Sequence, residues 1–301
     1  MRIGGPARVA VTGAAGMLGQ DVVAAAPGWA TVVPLTRADG DLSSADQAQA
    51  ALLAAAPEII VHCAAYTDVD GATRDPEQAW LGNALATRHV AEVAAHVHAR
   101  LLYVSTDYVF DGTAATPYTE RSAPHPLNAY GESKLAGERA ASGARGSLIV
   151  RTQWLFGPGG RSFVQAILAA ARAGRPLRIV QDECGCPTYA PDLAAGMWRL
   201  LETPATGPVH LTNTGACNRL ELAAAALEEA GLSGVEMTGV PSSEWPSPTL
   251  RPRNAVLASE RLGEVGLEGL RPWREAVREY VATLRDRWER EAGVDKPDDR
   301  S

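Results

Sequence analysis

A short apolar strand running straight into a glycine turn constrains this chain more than any other feature. Residues 8–12 read RVAVT, and Gly13-Ala14-Ala15-Gly16-Met17-Leu18-Gly19 follows at once. Glycines at that spacing allow a tight turn and a close approach of backbone to a pyrophosphate. The helix that opens at Met17 then points its first amides, those of Met17 and Leu18 included, at the phosphates. An ordinary strand–turn–helix connection has the same outline. Placement between a strand and a helix at the head of an alternating pattern is the context in which such a motif binds a dinucleotide. Gly13, Gly16, Met17, Leu18 and Gly19 are therefore the expected cofactor contacts.

The first half of the chain sustains the alternation. Strand candidates fall at 8–12, 31–35, 58–64, 100–105 and 147–151, with helices near 17–26, 45–55, 76–98 and 130–142. This argues for an α/β, Rossmann-type doubly wound parallel sheet covered by helices. After about Gly157 the pattern loosens into shorter helices (162–173, 191–202, 219–230), an irregular proline-rich stretch at 241–252 and a final amphipathic helix at 271–291. The expected division is an NAD(P)-binding domain over 1–153, to which some later segments return, and a smaller C-terminal substrate-binding lobe over 154–291. Residues 292–301 read as a solvated, disordered tail.

Bulk properties narrow the function classes. With 301 residues and 46% hydrophobic content the chain can bury a large core. A net charge of −7 gives no electrostatic support to a nucleic-acid or anionic-membrane partner. Neither a charged-then-apolar leader nor a long apolar span is visible, which predicts a soluble cytoplasmic protein, monomeric or homodimeric. Cys63, Cys184, Cys186 and Cys217 are scattered; Cys184-Gly185-Cys186 is too cramped for an easy disulfide and lacks a second ligand pair for zinc. Free thiols in a reducing compartment are expected.

The chemistry centres on Tyr130 and Lys134, four residues apart on a predicted helix and so on one face of it. A phenol is a poor acid at neutral pH, and a nearby ammonium favours its phenolate. Beside a nicotinamide ring such a pair can protonate a carbonyl oxygen as hydride reaches its carbon. Residues 103–110 (YVSTDYVF) leave a buried strand and turn polar at its C-terminal end, where parallel sheets place ligands. A hydroxyl from Ser105 or Thr106 there can bond the same oxygen, or can satisfy the strand terminus. Asp107 reads equally as a helix cap or a substrate contact.

These pieces together resemble the extended short-chain dehydrogenase/reductase superfamily and, within it, the dTDP-4-dehydrorhamnose reductases. The resemblance rests on TGAAGMLGQD (12–21), CAAYTDVDGA (63–72), STDYVFDG (105–112), YGESKLAGE (130–138), RTQWLFG (151–157), CPTYAPDLA (186–194) and RPRNAVL (251–257). It implies reduction of the C4 ketone of a dTDP-4-keto-6-deoxysugar, with Tyr130 as general acid, Lys134 as its electrostatic helper and ribose contact, and Thr106 as the third catalytic hydroxyl. It implies Tyr108 and Trp154 as substrate contacts. It also implies Ala64, Ala65, Tyr66, Asn83, Asp41 and Leu42 as cofactor contacts. Rival readings are a ketoreductase for a streptose-type or antibiotic sugar and a non-catalytic NADP-binding subunit; intact Tyr130, Lys134 and Thr106 argue against the last.

Several positions depart from the family pattern. Leu35-Thr36-Arg37 ends the second strand without the acid that selects a free ribose 2′-hydroxyl, and Arg37 can pair with a 2′-phosphate, so NADPH is expected with NADH possible. A usual glutamate is replaced by Thr73, and a serine and an aspartate by Ala255 and Ala258, which puts the exact sugar in doubt. Arg251 and Arg253 are candidate clamps for a diphosphate. Magnesium assists dimer assembly in some family members, but Asp21 is a single carboxylate on a helix face, and no metal ligand set is expected.

Overall fold

Strand and helix alternate from the first element of the chain. The computed structural model describes residues 5–294. In order the elements are β1 (Ala7–Thr12), α1 (Met17–Ala24), β2 (Ala30–Leu35), α2 (Ala45–Ala55), β3 (Ile59–His62), α3 (Val69–Arg74), α4 (Pro76–Trp80), α5 (Ala86–His96), β4 (Arg100–Thr106), α6 (Ala129–Ala141) and β5 (Leu148–Thr152). There follow β6 (Leu155–Phe156), α7 (Phe163–Arg172), β7 (Leu177–Val180), β8 (Cys184–Gly185), β9 (Thr188–Tyr189), α8 (Ala190–Leu201), β10 (Gly207–His210), β11 (Asn213–Thr214), β12 (Cys217–Asn218), α9 (Arg219–Glu229), β13 (Met237–Val240), α10 (Arg261–Glu264), β14 (Leu270–Pro272) and α11 (Trp273–Val294).

The main sheet has six strands in the order β10-β5-β4-β3-β1-β2, every pair parallel. Side chains of period two send alternate residues to opposite faces. Val9 and Val11 of β1, Leu102 of β4, and Leu148 and Val150 of β5 enter one cluster with α1 and α8. Ala10, Leu101, Tyr103 and Ile149 enter another with α2, α5 and the end of α6. Burial on both faces explains why these strands read as continuous apolar runs. The chain reverses its winding between β1 and β3, the switch point at which open α/β sheets leave a crevice.

The sequence of the second half is divided between two packing units. Buried residues of α8 and Val209 of β10 share the cluster of β1, β4 and β5. By contrast α7, α9 and α11 form a separate core around Phe156, Leu168 and Tyr280, flanked by the parallel pair β7–β13. Two sequence expectations are modified, and other elements were not expected. The helix expected at 76–98 opens at Pro76, passes through a π-helical turn at Leu81–Leu85 and resumes as α5. The short helix α3 and the strand β10 have no counterpart in the sequence reading. The last helix runs to Val294, past the expected end at 291; the rest of the expected tail, 295–301, lies outside the described residues. No helix among the described residues is long and apolar enough to cross a membrane, and the four cysteines are free thiols.

The glycine turn shows why its sequence is so restricted. Gly13 has φ +67°, and a Cβ there would lie 2.6 Å from the Ala64 amide nitrogen. A Cβ on Gly19 would meet the Gly13 carbonyl oxygen and lie 2.8 Å from the Ala14 Cα. The first turn of α1 thus rests directly on the turn that precedes it. Gly19→Ala is expected to cost about 1–3 kcal/mol through this overpacking, read as a fall in the urea midpoint at unchanged slope.

Candidate active site

The carboxyl ends of the central strands and the first turns of α1 and α6 open into one cleft of about 1320 Å3. Along one arm, Gly16 begins α1 with an extended backbone and no side-chain cap, leaving the first N–H groups for a ligand. Gly13, Gly16, Met17, Leu18 and Gly19 all line this arm, as do Ala64, Ala65 and Tyr66 beyond β3. At the end of β2, Thr36 donates its amide and hydroxyl to Asp39 Oδ2 at 2.8 and 2.9 Å, so that carboxylate is spent on the turn. Arg37, Asp41 and Leu42 line the cleft beside it. Asp41 accepts from the Ser43 amide and hydroxyl at 2.9 and 2.8 Å, which holds its carboxyl below the usual range.

Asn83, expected at the cofactor, does not line the cleft. It is buried within the π-helical turn, where its Oδ1 accepts from the Tyr66 amide at 2.8 Å and its Nδ2 donates to the Tyr66 carbonyl at 3.0 Å and to Ser133 Oγ at 2.9 Å. It fixes the backbone of a cleft residue rather than reaching the cleft.

Tyr130 and Lys134 stand on α6, whose start is capped by Asn128 Oδ1 accepting from the Gly131 amide at 2.9 Å. The Tyr130 ring packs edge-on to Tyr108 with centroids 5.3 Å apart, in an apolar seat with Ala72 and Ala79. Burial pushes its phenol well above the ordinary value, with Asp107 and Tyr108 adding to the rise and the Thr106 hydrogen bond opposing it. This reverses the expectation of a tyrosine lowered by its lysine, because desolvation dominates. Lys134 donates from Nζ to the Val104 carbonyl at 2.7 Å and lies over the Tyr103 ring, 4.2 Å from its centroid. Burial lowers its ammonium from 10.5 to about 7, against the opposing pull of Glu138.

At the end of β4, Thr106 Oγ1 donates to Asp107 Oδ1 at 2.9 Å and accepts from the Tyr108 amide at 3.3 Å. Burial raises the Asp107 carboxyl to about 6 despite the Thr106 and Gln153 hydrogen bonds. Thr106, Asp107, Tyr108, Trp154 and Arg251 all line the cleft. Arg251 donates to the Tyr108 hydroxyl at 3.1 Å and to Asp70 Oδ1 at 2.9 Å. Arg253, the other expected clamp, does not line the cleft; its side chain is 69% exposed and stands 4.0 Å from Asp182. Nor do Thr73, Ala255 and Ala258 line it.

Sequence reasoning missed four groups that the fold brings here. Arg219 and Thr152 line the cleft, the latter with a buried hydroxyl that has no partner. Gln153 Nε2 donates to Asp107 Oδ2 at 3.2 Å. Behind α6, Glu138 takes two hydrogen bonds from Arg151, at 2.8 and 2.7 Å, and one from Ser105 Oγ at 2.6 Å. Thr152, Gln153 and Glu138 lie in the runs 151–157 and 130–138 without a role assigned there, and Arg219 follows Asn218, which with Glu221 forms a capping box at the start of α9. Among the described residues no cluster of His, Cys, Asp or Glu is arranged to hold a metal ion. Asp21 is a half-buried carboxyl raised to about 6 by burial. Glu138→Ala leaves the Arg151 charge buried and unpaired, and is expected to lower stability by about 3–5 kcal/mol in denaturant titration.

Comparison with known proteins places this geometry in a lineage. Residues 7–286 match the family of the RmlD substrate binding domain. The dTDP-4-dehydrorhamnose reductase of Mycolicibacterium smegmatis is 36% identical over 283 residues, spanning 92% of this chain and 86% of that protein. The dTDP-4-keto-6-deoxy-D-glucose reductase of Streptomyces niveus is 36% identical over 277 residues, spanning 91% and 96%. The crystal structure of dTDP-4-dehydrorhamnose reductase from Bacillus anthracis in complex with NADP superposes with a TM-score of 0.89 at 32% identity, over 92% of this chain and 99% of that one. This chain belongs to the RmlD substrate binding domain family, within the extended short-chain dehydrogenase/reductase fold.

Proposed function

We propose that the protein catalyses NADPH-dependent reduction of the C4 ketone of dTDP-4-dehydro-β-L-rhamnose to dTDP-β-L-rhamnose, the last step in forming that sugar nucleotide. The observation that carries this reading is the convergence of Tyr130, Lys134 and Thr106 on one cleft with the glycine turn, in a family whose relatives bear that name.

The residues fit a dinucleotide phosphate. Gly13 and Gly19 leave no room for side chains at the turn, and Gly16, Met17 and Leu18 would hold the pyrophosphate. Arg37 would pair with a 2′-phosphate, with the Asp39 carboxylate of the same turn bonded back to Thr36. Asp41 and Leu42 would flank the adenine, and Ala64 to Tyr66 with Lys134 the nicotinamide riboside. Bound there, the cofactor supplies the hydride. Tyr130, kept protonated by burial, gives its proton to the carbonyl oxygen as that oxygen gains charge. Thr106 bonds the same oxygen, and the Lys134 ammonium stabilises the phenolate left behind. Asp107, Tyr108, Trp154 and Arg251 would contact the substrate.

A second reading is favoured by one observation. The Streptomyces niveus relative, named for a different dTDP-4-keto-6-deoxysugar, is as similar as the Mycolicibacterium one. NADPH oxidation with a panel of dTDP-4-keto-6-deoxysugars separates the two, and no oxidation with any of them supports a cofactor-binding role without turnover.

Tyr130→Phe is expected to lower kcat by about 10²–10⁴-fold while leaving NADPH affinity unchanged; substantial turnover in that variant overturns the mechanism. The pH profile carries a second test. A lysine whose folded pKa is depressed to about 7 is charged below that pH and neutral above it. Reduction measured as kcat/KM should therefore decline as pH rises through about 7, and a flat profile across that point would mean that the Lys134 charge is not required.

A further inference from the structure

We infer that Arg219 is an anion-recognition residue of the cleft, binding a phosphate of a nucleoside diphosphate through N–H groups that the protein leaves free. The side chain is only 16% exposed and opens into the cleft. Its guanidinium lies over the Trp154 ring, 3.6 Å from the centroid, and near the Phe163 ring at 5.2 Å. Its one ion pair, to Glu183 Oε2, spans 3.7 Å, too long for a hydrogen bond. No protein acceptor among the described residues takes a hydrogen bond from it. A mostly buried arginine whose N–H groups stay open to the cleft and meet no protein acceptor is placed to engage a ligand there. Stacking covers the plane of the group and leaves its edge, where the N–H fork lies, to face a ligand.

The surroundings select a phosphate. Arg251 lies near enough to disfavour the Arg219 charge, while Tyr108, Glu183 and Asp107 favour it. An anion beside the two arginines relieves that repulsion. Arg251 already donates to Tyr108 and Asp70, whereas Arg219 beside it donates to no protein acceptor among the described residues. Tyr108 in turn packs on Tyr130, so the two ends of one ligand can meet the anion site and the reacting groups. Trp154 gains a role from the same geometry. It is held at φ +47°, a costly conformation for an aromatic residue, and the strain presents its ring as the shelf on which Arg219 lies.

The choice of ligand rests on the keto-sugar reading above, but the test needs no turnover. Binding of dTDP, thymidine and NADPH is measured by titration calorimetry for the parent protein, Arg219→Met and Arg219→Lys, with saturating NADP+ present for the first two ligands. Arg219→Met should weaken dTDP binding by about 10- to 30-fold, and Arg219→Lys, which keeps the charge but loses the fork, by about 3- to 10-fold. Thymidine and NADPH binding should stay as in the parent. Parental dTDP affinity in Arg219→Met overturns the assignment, as does an equal loss for thymidine or a loss confined to NADPH. Should Arg219→Met fail to fold, parental dTDP affinity in Arg219→Lys overturns it alone. A parent protein that binds no dTDP overturns the assignment and the keto-sugar reading together, whereas a parent that binds dTDP and a variant that binds it equally overturn the assignment only.

Discussion

The buried ion pair of Glu138 and Arg151 fixes the geometry on which the site depends. Their side chains are 6% and 3% exposed and meet through two N–H···O bonds, with Ser105 Oγ as a third donor to the carboxylate. A buried pair of this kind contributes little net stability over apolar packing, yet it tolerates only one arrangement. Here the arrangement spans three elements: the carboxylate comes from α6, the guanidinium from β5 and the hydroxyl from β4. Lys134 and Tyr130 sit one and two turns earlier on the same helix, so fixing Glu138 fixes the rotation of both toward the cleft. The network reaches further through His210 on β10, whose Nε2 stands 3.5 Å from Arg151 Nη1. Burial lowers that imidazole to about 4, so it remains neutral beside the guanidinium and adds no opposing charge.

The parts of the fold legible in the sequence are those whose requirements are local. The run from Arg8 to Gly19 needs only a strand, a left-handed residue and a helix packed on its own turn, and each need falls on a specific position. The π-helical turn at Leu81–Leu85 escaped because the apolar spacing continues through it, and one extra residue per turn leaves no mark on composition. Its consequence is chemical: the turn directs Asn83 to the Tyr66 backbone instead of the cleft. The strand β10 escaped for a different reason. Gly207–His210 is four residues long and is a strand only because β5, far back in the chain, offers an open edge.

Much the same division holds at the site. Thr106, Tyr130 and Lys134 come from one strand end and one helix start, so their convergence follows from the parallel sheet. Arg251 and Arg253 illustrate the limit. In extended chain, residues two apart point the same way, which would send both arginines to one side, yet one enters the cleft and the other reaches solvent. The intervening segment is irregular, and its course is set by long-range bonds such as Asn128 Nδ2 to the Leu250 carbonyl at 2.9 Å and the Cys184 amide to the Arg253 carbonyl at 2.7 Å. No local pattern encodes those partners. Arg219 is the same problem from the other direction: its capping box announces the helix, but only the packing of α9 against Trp154 turns the first residue inward.

The departures from the family pattern take on a structural meaning once their surroundings are known. Ala255 is held by its main chain, accepting from Gln153 Nε2 at 2.7 Å and donating to the Cys184 carbonyl at 2.9 Å. Ala258 donates its amide to the Tyr118 carbonyl at 2.9 Å, and its own carbonyl meets His210 Nδ1 at 2.9 Å. Thr73 pairs its hydroxyl with that of Thr249 at 2.7 Å, joining α3 to the irregular loop. At 255 and 258 the backbone makes the contacts, so a methyl side chain leaves no buried donor or acceptor without a partner. At 73 a short hydroxyl closes a contact that a longer acid would have to make differently. None of the three faces the cleft, so choice among sugars falls to groups that do. Of those, Tyr108, Trp154 and Arg251 belong to segments shared with the family, while Arg219 donates to no protein acceptor among the described residues and the buried Thr152 hydroxyl has no partner. A sugar nucleotide that engages both gains a bond to the Arg219 fork and relieves the buried Thr152 hydroxyl, and one that engages neither forgoes both, which is how a cleft discriminates between substrates of nearly equal size.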